Sequence, residues 1–131
     1  QATSDANGAS PCQGDALVLD NGSGLSRVGV VSADSLTEML QKAWISPVMP
    51  EYVSSLSILG IDGTSRNRLR DPSTRSMAHV KTGALRDVRS IAGYVWGASG
   101  KRYIVVSMVN HERAHDARAF ENALITWLTT K

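Results

Sequence analysis

Cysteine is nearly absent: Cys12 stands alone among 131 residues and cannot close a bridge within the chain. Net charge is also small, at +2. Arginines gather at Arg66, Arg68, Arg70 and Arg75, but few aromatics interleave them and no recognition-helix pattern surrounds them. They read as a solvated basic loop, and no nucleic-acid partner is expected. No apolar run approaches the roughly 20 residues needed to cross a bilayer, so no membrane span is expected. A signal-peptide pattern is missing, yet Gln1 is not an initiator methionine, so the N-terminus reads as processed or trimmed. Neither Gly22-Ser23-Gly24 nor Gly100-Lys101 is followed by the residues of a nucleotide phosphate loop.

Hydrophobic residues make up 42% of the chain, enough for one packed domain. Residues 1–15 are Ala-, Ser- and Gly-rich without periodicity and read as a flexible N-terminal segment. After the short apolar run 16–19, Asp20 to Arg27 forms a glycine-rich loop. Ser32 is a good N-cap for a helix from Ala33 to about Trp44, with Leu36, Met39, Leu40, Ala43 and Trp44 on one stripe. Pro47 stops that helix, and Pro50 opens a shorter one through Tyr52, Val53 and Leu56. Leu59 to Arg75 reads as turns and a mobile connection.

Three strands are expected next: His79–Leu85, Val88–Trp96 and Tyr103–Val109, with a tight turn at Arg86-Asp87. A helix from about Asp116 closes the chain, its apolar positions being Phe120, Ala123, Leu124, Trp127 and Leu128. It should lie on one sheet face, with the 33–44 helix available for the other. A three-strand meander leaves 103–109, the most apolar strand, at an edge. Proteins normally cover such edges. A companion segment is therefore expected to supply further strands, unless the 16–19 run fills the gap.

Two constellations carry chemistry. His111-Glu112-Arg113-Ala114-His115 has the letters of a zinc-peptidase signature, which needs both imidazoles on one helical face and a third ligand. Here it follows a strand directly, and only Glu121 offers itself as the third ligand; the plainer reading is two solvent-facing histidines. The second constellation is Lys81-Thr82-Gly83 in a strand. Its ammonium gives a fixed charge, its hydroxyl a hydrogen bond, and its glycine a close approach to the backbone.

In order and spacing, Asn21-Gly22-Ser23-Gly24-Leu25-Ser26-Arg27, Gly60-Ile61-Asp62-Gly63-Thr64, His79 to Leu85 and Ile91-Ala92-Gly93-Tyr94 resemble a known pattern. It is that of the C-terminal part of class C low-molecular-mass penicillin-binding proteins, the D-alanyl-D-alanine carboxypeptidases/endopeptidases. The resemblance implies an α/β domain of the α+β type, an antiparallel sheet flanked by helices, with 16–131 as the C-terminal part of a transpeptidase-like domain. It implies acyl transfer on peptidoglycan stem peptides, β-lactam antibiotics as inhibitors, a periplasmic setting, and no cofactor or metal. On matching positions, Lys81 and Thr82 would bind the substrate carboxylate and Gly83 would keep the strand accessible. The Ala84 N–H would serve an oxyanion hole, and Leu25, Arg27, Leu85 and Arg86 would form walls.

The family's Ser-x-x-Lys nucleophile has no match in the chain, and its Ser-x-Asn element is read as missing too. Ser23 and Ser26 lack a positioned base and are poor substitutes. The attacking serine is therefore expected on the N-terminal remainder of the same protein. A non-catalytic peptidoglycan-binding fragment is the alternative, with the zinc peptidase behind it.

Overall fold

The computed structural model describes residues 17–18 and 29–131. Strand β1 (Leu17–Val18) pairs antiparallel with β2 (Val30–Val31) as a small separate ribbon. Helix α1 (Ala33–Trp44) follows, with the Ser32 side chain accepting from the Ser35 N–H at 3.0 Å as the expected cap. Helix α2 (Met49–Ser54) carries Pro50 in its first turn.

The main sheet runs in the order β3-β4-β5-β6, every neighbour antiparallel. Its strands are β3 (Ser57–Ile58), β4 (Ala78–Ala84), β5 (Val88–Trp96) and β6 (Arg102–Asn110). The expected three-strand meander is thus four strands. The addition is only two residues long, too short to show a periodicity in sequence. Arg86-Asp87 makes the β4–β5 turn, closed by Leu85 N–H to Val88 C=O at 2.9 Å.

Both faces are covered by helices, as the apolar β6 requires. Helix α3 (Ala117–Thr129) brings Ile125 and Leu128 onto Ala78, Val80, Ile91, Val95 and Val105. On the opposite face Leu40 of α1 and Val53 of α2 close over Tyr94, and the Tyr94 hydroxyl donates to the Leu40 carbonyl at 2.7 Å. Gly93 permits this close sheet: a Cβ there would lie 2.1 Å from the His79 carbonyl oxygen.

The face that α3 turns inward matches the expected one only in part: Leu128 is buried and Leu124 packs beside the core, but Phe120 and Trp127 point outward. Phe120 and Trp127 are 61% and 54% exposed, whereas Glu121 and Ile125 are fully buried. Glu121 and Ile125 join the inward side in place of Phe120 and Trp127, and Glu121 is held there by arginines, a partnership that apolar counting does not detect. Along β6, the far edge carries no strand among the described residues, and the 17–18 strand pairs elsewhere.

The connection from Leu59 to Arg75 is also more ordered than a solvated loop. A 3₁₀ turn spans Gly63–Ser65, and Ser65, Arg68 and Thr74 are buried. Arg68 is drawn into the protein by an acidic partner, which separates it from the other arginines of the run.

Candidate active-site edge

Strand β4 owes its exposure to the shortness of β3. Ser57 and Ile58 pair with Val80 and His79, and the pairing ends there. Beyond Val80, the outer edge of β4 carries no strand among the described residues. The ladder phase is set by Leu85 N–H to Val88 C=O and Trp96 N–H to Met77 C=O. Odd-numbered residues of β4 therefore direct their backbone groups to β5, and even-numbered ones direct them outward. The N–H groups of Thr82 and Ala84 thus face the open edge.

The side chains along this edge carry charge and hydroxyls. Lys81 is exposed, and its ammonium reaches the Thr82 carbonyl at 2.5 Å. Thr82 lies 2.6 Å, hydroxyl to hydroxyl, from Thr64. Gly83 sits opposite Ser90, where a Cβ would come within 2.6 Å of the serine Oγ, so the glycine keeps this stretch flat. Ala84, Leu85 and Arg86 follow, all exposed, at the hairpin end of the strand. The expected Lys81, Thr82, Gly83, Ala84, Leu85 and Arg86 therefore form one continuous edge. Leu25, Arg27, Ser23 and Ser26 lie outside the described residues.

Thr64 is held from two sides. Gly63, at φ +54°, makes the tight turn before it, and a Cβ there would strike the Ser57 Oγ at 2.2 Å. Asp62 accepts the Ile58 N–H at 2.6 Å, so the Asp-Gly-Thr turn is fastened to β3. Ser65-Arg66-Asn67 has the letters of Ser-x-Asn, contrary to the reading that the element is missing. However, Ser65 is fully buried and its hydroxyl donates to the carbonyls of Ile58 and Asp62. It serves the turn.

A buried ion network lies behind the turn. Arg68 Nη2 reaches Glu121 Oε2 at 2.9 Å, and Arg89 Nε reaches the same oxygen at 3.2 Å. Asn122 Oδ1 accepts from Arg68 Nε and Nη2 at 2.9 and 2.8 Å. Burial pushes the Arg68 guanidinium below the usual arginine range, and Glu121 opposes that shift. Arg89 faces Ala84 in the strand register, so Glu121 joins the Thr64 turn to the outer half of the hairpin. The sequence placed Arg68 in a solvated basic loop and offered Glu121 only as a third metal ligand; neither suggested this pairing. Arg68 and Glu121 are 53 positions apart, and no local spacing signals their pairing.

The His-Glu-x-x-His letters do not assemble. His111 precedes the short 3₁₀ turn Ala114–Asp116, which holds His115, so the two do not share an α-helical face, and His111, Glu112 and His115 are exposed. His111 Nδ1 accepts the Arg113 N–H at 3.1 Å. Glu121, the suggested third ligand, is taken by two arginines. Among the described residues no group of three His, Cys, Asp or Glu side chains is placed to hold a metal.

The model of the D-Ala-D-Ala carboxypeptidase 3 (S13) family matches residues 11–131. The chain belongs to that family. It is 35% identical over 100 residues to a D-alanyl-D-alanine carboxypeptidase of Actinomadura sp. (strain R39), covering 72% of this chain and 18% of that protein. Against the D-alanyl-D-alanine carboxypeptidase DacB of Haemophilus influenzae it is 30% identical over 95 residues, covering 71% of this chain and 20% of the relative. The crystal structure of penicillin binding protein 4 (dacB) from the same organism, complexed with a β-lactam, superposes with a TM-score of 0.74 at 27% identity. That match covers 88% of this chain and 29% of the solved one. The chain spans about a fifth of the length of the curated relatives it matches. The mixed fold, antiparallel sheet flanked by helices, agrees with the solved relative.

Proposed function

We propose that residues 16–131 form the C-terminal part of a serine-type D-Ala-D-Ala carboxypeptidase/endopeptidase acting on peptidoglycan stem peptides. The observation that carries this reading is the open edge of β4. There a lysine ammonium, a threonine hydroxyl and an outward-facing Ala84 N–H lie side by side on a strand whose outer edge, among the described residues, is unpaired beyond Val80.

An extended D-Ala-D-Ala terminus would add along this edge by backbone pairing. Lys81 and Thr82 bind its carboxylate, the first by charge and the second by hydrogen bonding. Ala84 N–H donates to the oxygen of the scissile carbonyl as that oxygen becomes an alkoxide. Gly83 keeps the approach clear, and Leu85 and Arg86 wall the acyl side, a task the family resemblance also gives to Leu25 and Arg27. The serine hydroxyl comes from a segment preceding this chain. Its oxygen bonds to the carbonyl carbon, the amide C–N bond breaks, and the leaving D-alanine amine takes up a proton. Water then cleaves the ester and restores the serine.

Three observations support a preceding segment: the edge of β6, which no strand pairs among the described residues, the exposed Phe120 and Trp127 of α3, and the fraction of the relatives' length that this chain spans. Penicillin sensitivity draws support from the β-lactam complex of the solved relative. A β-lactam would acylate the same serine. A cell-wall substrate supports a site outside the cytoplasm, and the periplasm is the compartment this reading gives the enzyme.

Intact-mass spectrometry before and after exposure to benzylpenicillin tests the reading. A drug-sized mass gain on a Ser-x-x-Lys peptide preceding this chain is the expected result. A stable adduct on Ser23 or Ser26 would move the nucleophile into the chain, and no adduct on any part would leave a peptidoglycan-binding module.

A further inference from the structure

The arginine run that reads as one basic loop is divided by the fold. Arg68 is spent on Glu121, but Arg66, Arg70 and Arg75 converge elsewhere. With Gly60 and Ile61 they line a recess of about 370 Å³. Its floor depends on Gly60, at φ +73°. A Cβ there would press at 3.1 Å on the Leu69 carbonyl and at 3.3 Å on the Arg75 Cγ. The stem of Arg75 is thus laid across a glycine, and Arg75 lines the recess beside it. Arg70 Nε donates to the Arg66 backbone carbonyl at 3.4 Å, which holds the Arg70 side chain back toward the Arg66 turn.

The local carboxylates are otherwise engaged. Asp62 accepts the Ile58 N–H, and Asp71 accepts both the N–H and the hydroxyl of Ser73, bonds that hold its carboxyl below the usual range. Among the described residues, none of Arg66, Arg70 and Arg75 is in an ion pair. Three permanently charged guanidinium groups around one recess repel one another, and that repulsion is relieved by an anion.

We propose that this recess is a binding site for a phosphate group. Three guanidinium forks present more N–H donors than the two oxygens of one carboxylate can accept. A phosphate has more oxygens, carries up to two charges, and is matched by the planar arginine fork. The recess has room beyond a single phosphate and accommodates one at the end or in the link of a larger molecule. Both a terminal phosphate and a phosphodiester backbone present these oxygens.

The test is calorimetric titration of the purified protein containing this chain with sodium pyrophosphate, and separately with glycerophosphoglycerol, at ionic strength held constant with sodium chloride. Saturable binding is expected, weakened roughly tenfold or more in the triple variant Arg66→Gln/Arg70→Gln/Arg75→Gln and unchanged in Arg113→Gln, which lies outside the recess. Should the triple variant fail to fold, the three single variants are expected to weaken binding separately. Pyrophosphate binding alone assigns a terminal phosphate, and equal binding of the diester assigns a polymer link. No saturable binding, an equal response to chloride, or full binding by the arginine variants overturns the proposal. Penicillin acylation is read separately, so this site and the acyl-transfer reading fail independently.

Discussion

The hydroxyls of Thr64 and Thr82 lie 2.6 Å apart and join two motifs that are 18 residues separated in the chain. One ends the Asp-Gly-Thr turn and the other stands in the Lys-Thr-Gly strand. The shared hydrogen bond sets the rotamer of Thr82 at the open edge.

Thr64→Val keeps the shape and removes the hydroxyl. It is expected to cost about 0.5–1.5 kcal/mol of stability and to slow penicillin acylation of the whole enzyme. Combined with Thr82→Val, the losses should be less than additive, since either substitution breaks the same bond. Additive effects in denaturant melts and acylation rates would disprove the coupling.

Lys81 is exposed and belongs to neither hydrophobic cluster. Lys81→Ala is therefore expected to leave stability within about 0.5 kcal/mol while acylation slows about 100-fold or more. Stopped-flow acylation beside a thermal melt separates the two. Normal acylation in a folded variant removes Lys81 from the site.

Glu121 is fully buried between Arg68 and Arg89. Glu121→Ala leaves two guanidinium groups facing an apolar gap and should cost about 3–5 kcal/mol, measured by urea unfolding. The milder Glu121→Gln tests whether the network positions the Thr64 turn. Its effect on acylation should vanish in a Thr64→Val background, whereas its effect on stability should remain. An undiminished acylation effect in that background means Glu121 acts through something else.

Tyr94 is buried with its hydroxyl on Leu40, and burial raises its phenol above the usual value of 10.0. A raised folded-state value means that this contribution is full below the unfolded phenol pKa and is lost as pH rises through the folded one. Stability should therefore fall above about pH 10. Tyr94→Phe should lose about 0.5–1.5 kcal/mol near neutrality and lack that alkaline decline. Parallel alkaline slopes in the two proteins would remove Tyr94 as the cause.

Much of this was legible in sequence where the signal was local. Ser32 and the apolar spacing after it marked α1, apolar segments and the Arg86-Asp87 turn marked the hairpin, and Lys81-Thr82-Gly83 lay on a strand as expected. Where the reading erred, a distant partner decided the outcome. Phe120 and Trp127 had the right period, but Glu121 turned inward because Arg68 and Arg89 wait there. Ser65-Arg66-Asn67 passed unnoticed, and burial of Ser65 gives it a structural task.

By itself the sequence determined the elements, since caps, periodicity and turn residues act within a few positions of one another. It also determined the chemistry available, a lysine, a hydroxyl and a glycine on one strand. Tertiary structure alone decided that β3 stops at Ile58 and leaves that strand's edge open, that Thr64 meets Thr82, and that four neighbouring arginines divide between a buried ion network and an open recess. These outcomes depend on contacts across tens of residues, which chain closure brings together and local spacing does not encode.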